Sequence, residues 1–229
     1  MGTRPRTLIA AGATLGALAL AGCSNGSDAD SGASASPASA ASSEGADAGA
    51  PPGAEILGIT REGEPFKVTV TFSDGSQPAE FRITVDGVTC DDSLDPKVLA
   101  YAADSVGASA TESPVPESGK QFCVVLMNVE NVGKSRQSWD AGGTVGLNVR
   151  DTQYTETQQE AEYALDYAQY ANSQGRPGAT FGLNPGSHGP AYGVFEIPAG
   201  DEPTSLWVTS GTAITTIDGV EPGYLVRLE

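Results

Sequence analysis

From Ala54 onward the chain consists of short runs of alternating β-branched and aromatic residues, separated by Gly, Pro and Asp. That is the pattern of an all-β sandwich or barrel. Phe66 to Phe72 alternates with period two, as a strand with one buried face does, and the Asp74-Gly75 pair behind it is a hairpin-turn signal. Phe81 to Cys90 reads as the next strand, with Phe81, Ile83 and Val85 on one face and a bulge at Asp86-Gly87. Phe122 to Val129 is the most apolar run. Its polar end, Asn128 and Glu130, sets the facing, so Cys123, Val125, Met127 and Val129 point into the core. Val145 to Val149, Tyr192 to Ile197, Ser205 to Thr209 and Tyr224 to Leu228 supply four more strands.

One segment departs from the β pattern. Glu160 to Ala171 is rich in Ala, Glu, Gln and Tyr, and Thr157-Gln158-Gln159-Glu160 has the spacing of a capping box, so a short helix is predicted that stops near Gly175-Arg176-Pro177. Tyr163, Tyr167 and Tyr170 fall at i, i+4 and i+7 and share one face. Docking that face on the core is the simpler account of such a stripe. An exposed recognition patch of amphipathic rings is the alternative. About seven strands with one helical insertion suggests an immunoglobulin-like β-sandwich over residues 55–229.

The N-terminal residues follow another logic. Arg4 and Arg6 precede an apolar run from Leu8 to Ala21, too short to cross a bilayer core, and Leu20-Ala21-Gly22 leads into Cys23. A charged start, an apolar middle and small residues before a cut are the parts of a secretory signal peptide, residues 1–22. Leu-Ala-Gly-Cys resembles the bacterial lipobox, which implies a diacylglycerol thioether and a palmitate-type acyl chain on Cys23. Two acyl chains suffice for stable anchoring. The expected location is therefore the extracytoplasmic face of the cell membrane. Residues 23–54 are mostly Ser, Ala, Gly, Asp and Pro and cannot bury enough surface to offset the entropy of ordering. They read as a disordered linker, with a reach of roughly 30 Å for about 30 flexible residues.

Loss of residues 1–22 removes two basic residues and no acid, leaving ten basic against 29 acidic residues, formally −19. Such a surface disfavours nucleic acid and favours cationic partners or divalent ions. Of three cysteines, one is assigned to lipid; Cys90 and Cys123 remain, an even number in an oxidising compartment, and a disulfide between them is expected. Two separate buried thiols are the alternative.

Candidate chemistry is sparse. The only histidine, His188, lies in a turn-rich Gly186-Ser187-His188-Gly189-Pro190 loop, which argues for a solvated side chain over a triad member or a metal ligand. A zinc site needs several Cys or His at short spacing. Asp91, Asp92 and Asp95 offer hard oxygen ligands suited to calcium, without the spacing of an EF-hand, and otherwise read as a solvated loop. No glycine loop of the nucleotide-binding type is present.

The stretch Phe122 to Gly133, with its Asn131-Val132-Gly133 turn, then Val149-Arg150-Asp151, then Leu183-Asn184-Pro185-Gly186 leading into Gly193 to Pro198, resembles the domain-of-unknown-function 4352 family of Gram-positive envelope lipoproteins. The resemblance runs over approximately Glu55 to Glu229. It implies a sandwich similar to that of a secreted mycobacterial immunoprotective antigen, and it implies no activity and no cofactor. Asn131 is expected to bond its own backbone, Gly133 to take positive φ, and Pro185-Gly186 to form the corner of a type II turn. The expected function is a non-catalytic, membrane-anchored lipoprotein, bound to lipid through Cys23 and presenting a domain to an envelope protein partner. The alternative is a module binding a small ligand or cation.

Overall fold

The computed structural model describes residues 49–72, 75–107, 113–142, 144–209 and 220–229. The signal peptide, Cys23 and most of the linker lie outside the described residues, as does Asp74 of the expected turn.

Among the described residues, nine strands and two helices follow in order: β1 (Ile56–Arg61), β2 (Phe66–Val70), β3 (Ala79–Asp91), α1 (Pro96–Ser105), β4 (Lys120–Asn131), β5 (Val145–Val149), β6 (Thr152–Thr155), α2 (Gln158–Ser173), β7 (His188–Pro198), β8 (Ser205–Thr209) and β9 (Gly223–Arg227). A short 3-10 turn, Ala179–Phe181, precedes β7. The strands form a five-stranded sheet, β1-β9-β8-β5-β6, and a four-stranded sheet, β2-β3-β4-β7. The β-sandwich expected of the alternating pattern is present, with β1 and β6 beyond the seven strands predicted, and α1 a second helix where one was expected.

Alternation decides what lies between the sheets. Phe81, Ile83 and Val85 of β3 and Cys123, Val125, Met127 and Val129 of β4 are fully buried in one cluster with Leu147, Leu206, Val208 and Val226 of the opposite sheet. The bulge falls where predicted: Val85 pairs with Met127 but Gly87 pairs with Leu126, so Asp86 has no opposite residue. The β2–β3 connection is longer than the two-residue hairpin that Asp74-Gly75 signals, because pairing stops at Val70 and Ala79. The outer face of the four-stranded sheet is buried at one end. Phe122 of β4 and Val194 of β7 cluster there with Leu94 and Ala164, beneath the two helices.

Both helices start on side-chain caps. Thr157 and Glu160 make the reciprocal capping box expected for α2. The Asp95 side chain accepts from the amide of Lys97 at 2.8 Å, and Pro96 occupies the first turn of α1, where its missing N–H is no loss. Asp95-Pro96 was thus a helix-start signal inside what reads as an acidic loop.

Candidate functional site

Cys90 and Cys123 stand directly opposite each other on β3 and β4 and form the expected disulfide, which closes the segment carrying α1. Asp91 and Asp92 are exposed, and the Asp91 side chain accepts from the Asp92 amide at 2.7 Å. With Asp95 committed to the helix cap, two of the three acids, Asp91 and Asp95, serve local backbone amides. Among the described residues no group of three or more His, Cys, Asp or Glu side chains is placed to hold a metal ion. His188 is exposed at the first residue of β7.

The three tyrosines of α2 are half-buried and face the sheet and α1. Tyr163 meets Phe122 edge-on with ring centroids 5.9 Å apart, Tyr167 lies 5.3 Å from Tyr192 of β7, and Tyr170 lies 5.8 Å from Tyr101 of α1. The Tyr167 hydroxyl also accepts from the Asp95 amide at 2.9 Å, tying the start of α1 to α2. Burial pushes the Tyr167 and Tyr192 hydroxyls above the ordinary phenol range.

The most unusual chemistry lies where β6 passes into α2. Strand β7 is the outer strand of its sheet, and an uncovered edge exposes unpaired amides that invite another strand. Here carboxylates occupy two of them. Glu156 Oε1 accepts from the amide of Val194 at 2.6 Å, and Glu160 Oε1 accepts from the amide of Glu196 two residues on, while Glu160 Oε2 accepts from the amide of Thr157. Alternate residues of an antiparallel edge strand point their amides the same way, so two acids spaced by one helical turn meet two such amides in a row.

The two acids differ in how they are satisfied. Glu160 is buried with both oxygens bonded, whereas Glu156 Oε2 is buried with no partner among the described residues. It adjoins a cavity of about 120 Å³ lined by Asp140, Gly142, Ala164, Leu165, Thr180 and Tyr192, among others. Burial first, then the nearby charges of Asp140 and Glu160, raise the Glu156 carboxyl to about 7 against the opposing bond from Val194. Sequence reading found Glu160 as a cap residue and missed Glu156. No periodicity marks Glu156, because its partner is a strand edge 38 residues away.

The family-like turns are structural. The side chain of Asn131 accepts from the amide of Gly133 at 2.9 Å, as expected. Gly133 does not take positive φ; its role is space, since a Cβ there would stand 3.2 Å from Asn131 Oδ1. Gly186 has φ +74°, and the Ser187 amide bonds the Asn184 carbonyl at 2.9 Å, the type II corner predicted for Pro185-Gly186.

Two packed sheets, a cross-strand disulfide and a helix-covered edge define a small β-sandwich domain. The model of the family described as a domain of unknown function, DUF4352, matches residues 83–216, more than half of the chain, and the chain belongs to that family. Strands β1 and β2 lie before the match. Among solved structures, the chain is similar to the yjhA protein of Bacillus subtilis, at 17% identity and TM-score 0.40, over 74% of this chain and 99% of that one. It is also similar to an uncharacterized beta-sandwich protein of Clostridium difficile 630, at 15% identity and TM-score 0.39, over 76% and 96% of the two chains. A conserved hypothetical protein of Bacillus anthracis gives 19% identity and TM-score 0.38, over 63% and 90%. No curated protein matches.

Proposed function

We propose that this chain is a lipoprotein held to the outer face of a cell membrane through acyl chains on Cys23, and that its β-sandwich is a non-catalytic module that binds an envelope protein. The observation that carries the reading is Leu20-Ala21-Gly22-Cys23 at the end of the apolar run behind Arg4 and Arg6. The family match supports a domain without an assigned chemistry. The pairing of Cys90 with Cys123 fits an extracytoplasmic module. Among the described residues no helix is long and apolar enough to cross a membrane.

The test is the mature N-terminus. Mass spectrometry of the protein from its native membrane should show a lipid-modified Cys23 as the first residue, and Cys23→Ala should move the protein from the detergent phase to the aqueous phase. An unmodified N-terminus in the native protein removes the anchor from this reading. In-cell crosslinking from the sandwich surface should then trap one envelope protein reproducibly, and crosslinking that yields only random neighbours removes the partner.

A further inference from the structure

We propose that Glu156 is a pH-sensitive latch, holding the β6–α2 junction on the free edge of β7 while its carboxyl is protonated and slackening when the proton leaves. Glu156 reaches β7 with one oxygen only, bonded to the Val194 amide at 2.6 Å; its other oxygen is buried and unpartnered beside the small cavity.

The groups facing Glu156 come from three directions. Asp140, on the segment between β4 and β5, approaches through Gly142, where an added Cβ would stand 3.4 Å from Glu156 Oε2 and 3.7 Å from Asp140 Oδ1. Glu160 faces it from α2, and Tyr192 of β7 lines the same cavity with its hydroxyl engaged by Arg176. The charges bearing directly on Glu156 are therefore those of two acids.

In the neutral state the proton resides on Oε2, the like-charge conflict with Asp140 and Glu160 is absent, and Oε1 keeps the Val194 amide. Deprotonation strengthens that single hydrogen bond but leaves a buried carboxylate oxygen without a partner between two other carboxylates. The first effect favours the charged form and the second opposes it. Burial of Oε2 between two facing carboxylates makes the second the larger, which pushes the carboxyl up to about 7. The available relief is a small outward movement of the junction that lets water reach Oε2, at the expense of the Val194 contact. Glu160 does not share this freedom, because both its oxygens are bonded. Slackening is thus local to Glu156 and Val194. It bares one edge amide of β7 near neutral pH, while Glu196 stays covered.

Amide hydrogen exchange by NMR on the full chain tests this with an internal control. After correction for intrinsic exchange, protection of the Val194 amide should fall roughly tenfold between pH 6 and pH 8, following the charged fraction of a group titrating near 7, while protection of the Glu196 amide changes little. In Glu156→Gln, which keeps an acceptor for Val194 and cannot ionise, the Val194 amide should stay protected at both values. Asp140→Asn removes one facing charge and should shift the midpoint to lower pH. Equal protection of Val194 at both pH values, an unchanged drop in Glu156→Gln, or a Glu156 carboxyl that titrates near 4.5 by carbon NMR each overturns the latch.

Discussion

The side-chain amide of Asn131 donates to the carbonyl of Leu183, 2.8 Å away across 52 residues of sequence. The same nitrogen donates to the Ser135 carbonyl at 2.8 Å, the side-chain oxygen accepts from Gly133, and the backbone of Asn131 exchanges hydrogen bonds with Ser187 and Gly186. Asn131 is fully buried, so its own polar atoms have no water as a substitute. The end of β4, the turn behind it and the Asn184–Ser187 corner therefore meet at one residue.

Asn131→Ala should lower the free energy of unfolding by about 1–3 kcal/mol, because it removes three hydrogen bonds of a buried side chain, while the Leu183 carbonyl keeps the Gln137 amide and the Gly133 amide keeps the Glu80 carbonyl. Asn131→Asp should be no milder, since a carboxylate turns lone pairs toward the two carbonyl oxygens to which the amide donated. Urea titration measures both. A loss below about 1 kcal/mol for the alanine variant would show that water or relaxation replaces the node.

How much of this was legible beforehand depends on whether the signal is local. The facing of Cys123, Val125, Met127 and Val129 followed from alternation, and the capping box of α2 followed from Thr157 and Glu160, because both are written within a few residues. Helix α1 was obscured because Asp91, Asp92 and Asp95 read as one acidic loop although Asp95-Pro96 is a helix start. Strand β6 is short and mostly exposed, with no alternation to see. Strand β1 gains its place by lying parallel to β9 at the far end of the chain. Glu156 was invisible for the same reason: its meaning is assigned by β7, which no local pattern connects to it.

The disulfide makes a separable contribution. Cys90 and Cys123 close a loop with a sequence separation of 33, for which chain entropy gives on the order of 3.5 kcal/mol. The paired substitution Cys90→Ala with Cys123→Ala should lower stability by about 2–4 kcal/mol in urea without disturbing the β-sheet signal of the native state. Loss of native signal at zero denaturant would mean that the two sheets depend on the crosslink to assemble.

Gly189 identifies a backbone approach that no side chain can share. A Cβ placed there would lie 1.8 Å from the carbonyl oxygen of Pro177, so Gly189→Ala requires the chain beyond α2 to move off β7. A loss of about 2–4 kcal/mol is expected from overpacking against backbone. Gly200→Ala is the comparison: at φ +81° with nothing within 4 Å, it meets conformational strain alone, about 1 kcal/mol. Thermal unfolding of the two variants should rank them in that order, and equal losses would remove the close approach as the cause.

Global stability should fall as pH rises from about 4.5 to 7. The Glu156 carboxyl titrates at about 7 in the fold against an ordinary 4.5, so across that window the folded chain holds a proton that the unfolded chain has released. Stability therefore has a negative slope with pH, amounting to at most ~3 kcal/mol for a shift of this size. Burial also raises the carboxyls of Asp86 and Asp166, with the Glu162 charge adding at Asp166, and both contribute slopes of the same sign. Glu156→Gln should accordingly flatten the profile without levelling it, and at pH 8 it should unfold at higher urea than the unsubstituted chain. Urea titrations at half-unit steps of pH check this, and a Gln variant whose curve runs parallel to the original would assign the slope to other carboxyls.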